Sequence, residues 1–216
     1  MTGTRVTALT ALAFVVCFVV AFALVSQVPA YDRPDDAWVA WAEDSGDRAR
    51  AVIGTMLWCA AGLLLMATLT GLARLARHGR TADDPGHATD IARGAGVMAG
   101  TMLLTAALIA GAVPAAMMFA PDFAAPGGDV IRMLDQLGIA LLLIGCGWSS
   151  AVALAGISWG AGRTGALPRW LVIFGYVAAA ILLLSPLFLP IAILLVWMGA
   201  AGIVLVRSPS PTRPDH

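Results

Sequence analysis

The chain predicts an all-α fold, a polytopic transmembrane helical bundle of six spans with both termini cytoplasmic. Three observations carry that expectation. Residues 6–31, 51–73, 94–121, 137–162 and 170–206 contain no charged side chain and no His. The formal charges stand in the links between these runs, and the arginines are shared unevenly between alternate links. About 20 apolar residues, at 1.5 Å rise each, cross roughly 30 Å of hydrocarbon, so runs of this length read as spans. Composition agrees: the 216 residues are 60% hydrophobic and 12% charged, against about 25% charged in soluble domains.

The first span is expected near residues 6–30. Val28-Pro29-Ala30 loosely resembles a signal cleavage site, but the apolar stretch exceeds the roughly 7–15 residues of a secretory signal, so a retained span is the expectation. The outer loop, 31–50, follows. Asp35 and Asp36 are candidate N-caps of a short interfacial helix with Trp38 and Trp41 on one face, the indoles anchored at headgroup level. The second span is expected near 51–73, and a cytoplasmic loop occupies 74–93. The third span runs near 94–120, with Pro114 kinking its outer end; the fourth runs near 137–160. Residues 170–206 are too long for one helix, even tilted. Pro186 and Pro190 remove backbone donors and restrict their predecessors. A turn there divides the run into spans near 170–185 and 188–206; one kinked helix with a re-entrant end is the alternative. Residues 207–216 read as a short disordered tail. Trp159 and Trp170 frame the second cytoplasmic loop as an inner aromatic belt.

With the N-terminus inside and alternation thereafter, the cytoplasmic segments hold Arg5, Arg74, Arg77, Arg80, Arg93, Arg163, Arg169, Arg207 and Arg213. Outside stand Arg33, Arg48, Arg50 and Arg132, as the positive-inside rule expects. Acids run the other way: Asp32, Asp35, Asp36, Glu43, Asp44, Asp47, Asp122, Asp129 and Asp135 fall outside. Lys and Asn are absent, and both use A-rich codons, which points to a GC-rich bacterial genome and a multi-pass protein of the bacterial cytoplasmic (plasma) membrane.

The third and fourth spans carry the clearest internal pattern. Gly96, Gly100, Ala107 and Gly111 share one narrow arc of a helix, as do Gly138, Gly145, Ser149, Gly156 and Gly160. Such small-residue faces let backbones approach closely where hydrophobicity cannot drive association. They suit helix packing within the monomer or, alternatively, homo-oligomerisation.

Most chemistry is disfavoured by what the spans lack. Gly156-Ile157-Ser158-Trp159-Gly160 matches G-x-S-x-G, but elbow chemistry needs a strand-to-helix turn with His and an acid in reach, so Ser158 reads as a packing residue. His78, Asp83, Asp84, His87 and Asp90 could hold a divalent metal, yet Asp83-Asp84-Pro85-Gly86 reads first as a turn. Haem ligation and proton relays need intramembrane His or carboxylate. Cys17, Cys59 and Cys146 lie far apart in apolar runs and read as small packing residues. Thr55, Thr68, Thr70, Thr101, Thr105, Ser149, Ser150 and Tyr176 leave open a hydroxyl-lined path, although such hydroxyls usually bond back to helix carbonyls. No catalytic, cofactor or metal residue is expected.

The first span ending in Val28-Pro29, the acidic loop into Asp44-Ser45-Gly46-Asp47-Arg48, and the second span ending in Leu72-Ala73-Arg74-Leu75 resemble six-span integral membrane proteins of actinobacteria. The resemblance implies no reaction and no catalytic residue. The expected function is a non-enzymatic accessory or interaction subunit, with membrane lipids and a membrane-protein partner or second copy of the chain as partners, and no nucleic acid. The alternative is a permease or lipid-handling transporter for a neutral or amphipathic solute.

Overall fold

A computed structural model of the protein describes residues 3–77, 86–120, 122–187 and 191–207. All regular structure among them is helical: α1 (Gly3–Val25), α2 (Asp35–Glu43), α3 (Ser45–Arg77), α4 (His87–Ala110), α5 (Ala112–Phe119), α6 (Gly128–Ala140), a π-helical segment (Leu141–Cys146), α7 (Gly147–Thr164), α8 (Arg169–Leu182), a 3₁₀ turn (Ser185–Leu187) and α9 (Ala192–Arg207). Four helices are long and apolar enough to cross a membrane: 3–25, 45–77, 87–110 and the continuous 128–164. The protein is therefore membrane-embedded by the length and composition of its helices. The run 170–206 divides into α8 and α9, apolar helices of 14 and 16 residues that pack on each other.

The helices close a ring of neighbours. α1 packs on α3, α3 on α4, α4 on α7, α7 on α8, α8 on α9, and α9 returns to α1, with α3 also touching α7. In lipid these contacts rest on dispersion and close backbone approach, and the glycines show how. A Cβ on Gly100 would stand 2.5 Å from the Gly62 carbonyl oxygen of α3, and one on Gly96 would stand 2.7 Å from Leu69 Cβ. Gly111 meets Thr55 of α3, and Ala107 is fully buried. The α4 small-residue face is thus turned to α3. The other set, Gly138, Gly145, Gly156 and Gly160, faces Ala106, Met102, Ala88 and Thr89 of α4, roughly a quarter turn round α4 from its own glycines. The two faces serve two different seams within one monomer and do not meet each other. Ser149 lies beside them, in a groove with Gly94, Ala95, Met98, Trp148 and Val152.

Local chemistry sets the helix ends. The Asp44 side chain accepts the Asp47 backbone N–H at 2.8 Å and caps α3. The N-cap of α2 is Pro34, without a side-chain cap; Asp35 and Asp36 occupy the first turn, where their charge suits the helix dipole. The break between α4 and α5 falls at Gly111, so the bend expected at Pro114 lies just N-terminal to it, with Pro114 in the first turn of α5, where a missing N–H costs least. Hydroxyls on the helices mostly return to their own helix: Thr68 to the Leu64 carbonyl at 2.8 Å, Thr70 to Met66 at 2.8 Å and Thr101 to Val97 at 3.0 Å. Thr68 also donates to Thr10 Oγ1 at 3.0 Å, joining α3 to α1.

Candidate functional site: a side groove with a buried carboxyl

Where α1 faces α6 and the π segment, the ring opens. A cavity of about 240 Å³ lies there, lined by Phe22, Val25, Ser26, Val28, Trp58, Ala110, Asp135, Ile139 and Leu142. A second, of about 180 Å³, shares Phe22 and Leu142 with it and continues along Phe18, Val19, Ile191, Ala192 and Leu195 towards α9. Val19 and Phe22 are exposed at the rim, so the pair forms a groove open at the side of the bundle. Its walls are almost wholly apolar. α3 supplies the floor through Trp58, whose ring meets Phe18 at a centroid distance of 6.2 Å.

One end of the groove is chemically different. Asp135 is 7% exposed and Trp58 is 7% exposed, and both line the cavity. The Trp58 indole N–H is buried without a hydrogen-bond partner. Asp135 Oδ2 accepts from Gln136 Nε2 at 3.5 Å, a contact at the limit of a hydrogen bond. The arginine one turn away is committed elsewhere: Arg132 pairs with Asp35 at 3.1 Å and donates to the Arg33 carbonyl at 3.3 Å. A buried carboxyl and a buried N–H with so few partners are costly, because desolvation is not repaid.

This site departs from the expectation that the outer-side acids stand in solvated loops. The helix bearing the fourth apolar run begins at Gly128, so Asp135 sits on the helix and inside the bundle. A signal existed in the sequence. Ile131, Asp135 and Gly138 are spaced by four and three residues, which places them on one helix face; all three are buried.

The π segment shapes the groove wall. Its widened turn frees a backbone carbonyl, and the Ser185 hydroxyl donates to that of Leu143. Gly147 leaves room for Ser185. From the other side, Trp148 Nε1 donates to the Leu183 carbonyl at 3.2 Å, supplying an orphan acceptor at the end of α8. The link after α8 is thereby fastened to the π segment, with Leu142 turned into both cavities.

The sequence-derived candidates are placed as follows. Trp38 is 1% exposed and packs with Ala42, Val113 and Ile131, so its ring is enclosed by the protein and fastens α2 to its neighbours. Trp41 is half-buried beside it, edge-on at 6.4 Å, and lines a narrow crevice above the groove together with Asp135. Trp159, near the end of α7, and Trp170, at the start of α8, are exposed, and Arg163 stands over the Trp159 ring at 5.9 Å. Ser158 is fully buried, its hydroxyl against Gly175 in the seam of α7, α8 and α9. His78, Asp83 and Asp84 lie outside the described residues; His87 is exposed, and Asp90 pairs with Arg77 at 2.9 Å. Among the described residues no group of His, Cys and carboxylates is arranged to hold a metal. No protein-family model matches the chain, and neither does any curated protein or solved structure.

Proposed function

We propose that the protein is a non-enzymatic binding protein of the bacterial cytoplasmic membrane, holding a membrane amphiphile in the groove between α1 and the α6–π segment. The observation that carries this reading is the groove itself: apolar along its length, open at the side of the bundle, with Asp135 and Trp58 at one end. Ligand sites have this character, an apolar recess with a few convergent polar groups. Of the two functions expected from the sequence, the lipid-handling one fits this recess. The placement of Ser158 inside a helix seam, away from the groove, supports a binding role over hydrolysis.

The topology belongs to the same proposal. α8 begins with Arg169 and Trp170, and α9 ends with Arg207, which suits an antiparallel pair with both ends on the arginine-rich side. Each helix is about 21–24 Å long, and the proposal takes the pair as the fifth and sixth spans, with both termini cytoplasmic. A reporter fused after residue 207 is expected to be active only in its cytoplasmic form. Activity of an exported reporter there would overturn the topology.

The accessory-subunit reading keeps one observation of its own. The groove between α4 and α7, about 350 Å³ and lined by Gly94, Ala95, Met98, Trp148, Ser149 and Val152, has the small-residue floor that seats a partner helix. Purification from native membrane, with lipids and proteins both identified by mass spectrometry, separates the readings. A stoichiometric lipid that is lost in Ala110→Leu, which fills the cavity beside Asp135, supports amphiphile binding. A stoichiometric protein partner lost in Gly94→Leu, with no retained lipid, would replace that reading by the accessory one.

A further inference from the structure

The exposed seam between α4 and α7 ends in a cation. On α7, Trp148, Val152, Trp159 and Arg163 follow one another at intervals of four, seven and four, so they share about 60° of one helix face. All four are exposed. On α4, Ile91, Ala95 and Met98 form the facing stripe, and Ile91 and Met98 are exposed. The floor between the stripes is small: a Cβ on Gly94 would meet nothing, and Gly156 lies against Ala88 and Ala92. The groove of about 350 Å³ occupies the Trp148 end of this seam. The other end carries Arg163, whose guanidinium carbon stands 5.9 Å over the Trp159 ring. Among the described residues of α4 and α7 the one acid is Asp90, already paired with Arg77 at 2.9 Å.

An apolar wall by itself specifies nothing, since every exposed face of a membrane helix meets hydrocarbon. Here a groove and a cation share one stripe, and their separation is that of a lipid's tail and head. Residues 148 to 163 cover about 22 Å of helix, half of the roughly 40–45 Å bilayer with its headgroup layers. We propose that this seam binds one anionic phospholipid, its phosphate at Arg163 and one acyl chain in the α4–α7 groove. An arginine fork matches phosphate oxygens, and basic pockets between transmembrane helices favour anionic head groups. Trp159 steadies the guanidinium and offers the glycerol region an amphipathic ring. A zwitterionic lipid has the same phosphate but brings a second cation towards Arg163, so the net charge of the head decides between them. This seam is separate from the recess between α1 and α6 and does not depend on its occupancy.

The test reconstitutes the full chain with an equimolar mixture of phosphatidylglycerol and phosphatidylcholine of identical acyl chains, and reads the retained lipid by native mass spectrometry. Phosphatidylglycerol is expected to be retained over phosphatidylcholine by about fivefold. Arg163→Gln should bring the ratio close to unity, and Gly94→Leu, which fills the groove, should lower the retained phosphatidylglycerol. Arg207→Gln removes an exposed arginine from the end of α9 and should leave the ratio unchanged, as should Ala110→Leu in the other recess. If Arg163→Gln failed to fold, Trp159→Leu, which removes the ring beneath the guanidinium, carries a lowered ratio as its expectation. A ratio near unity in the wild type would overturn the inference. Equal losses in Arg163→Gln and Arg207→Gln would also overturn it, by reducing the preference to diffuse attraction. A stoichiometric protein partner from native membrane, lost in Gly94→Leu, would seat a partner helix in the groove and displace the lipid assignment.

Discussion

Trp197→Ala is expected to destabilise the folded bundle by about 3–4 kcal/mol, measured as the shift in unfolding midpoint on titrating sodium dodecyl sulfate into mixed micelles. Trp197 is 0% exposed and sits where α9 meets α8. Its indole N–H donates to the Leu171 carbonyl at 3.2 Å, and its ring edge lies beside Gly175. In a soluble protein part of this cost would be lost transfer into an apolar interior. In lipid that contribution is small, because the unfolded side chain is already among hydrocarbon. What remains is the cavity and its lost dispersion contacts, which rigid helices relax into only partly. Trp197→Phe separates the parts: it keeps most of the volume and removes the hydrogen bond, and should cost roughly 1 kcal/mol. A Trp197→Ala protein within about 1 kcal/mol of wild type would show that the α8–α9 pair contributes little to the fold.

Gly100→Ala should cost about 2 kcal/mol in the same titration, and Gly100→Leu should prevent the α3–α4 seam from forming. The two glycines of this seam exclude each other reciprocally. A Cβ on Gly100 would stand 2.5 Å from the Gly62 oxygen and 2.7 Å from Met66 Cβ, and one on Gly62 would stand 2.9 Å from the Gly100 oxygen. The obstacles are backbone atoms and a Cβ fixed by the backbone, so no rotamer change relieves them and the helices must part. Gly94 and Gly199 are the controls, since a Cβ there meets nothing within 4 Å. Alanine at either should be neutral, or stabilising by up to about 1 kcal/mol through helix propensity. If Gly100→Ala proved as harmless as Gly94→Ala, close approach of α3 and α4 would be refuted.

The legible and illegible parts of this fold divide along a physical line. Gly96, Gly100, Ala107 and Gly111 were recognisable as one smooth face, and so were Gly138, Gly145, Gly156 and Gly160, because spacing alone puts residues on an arc. Their destination was not recognisable. A soluble helix marks its buried side by polarity contrast, but α1 and α9 are apolar all round, so periodicity does not say which face turns inward. The partners of Trp38 were illegible for a related reason: nothing in its own segment of sequence names Val113 and Ile131, on which it packs.

Residence in a membrane, the helical class and the links that carry charge were readable because transfer from water to hydrocarbon is a sum over consecutive residues. It depends on nothing distant in the chain. Asp135 is the counter-example. Its neighbours in sequence, Arg132 and Gln136, suggest a wet loop, and only the docking of α6 against α4 and α2 encloses it. That Trp58, about a third of the chain away in sequence, lines the same recess is likewise a product of how the helices pack. Hydropathy is a local property that one dimension preserves. A recess and the groups that converge in it exist only once several helices have met.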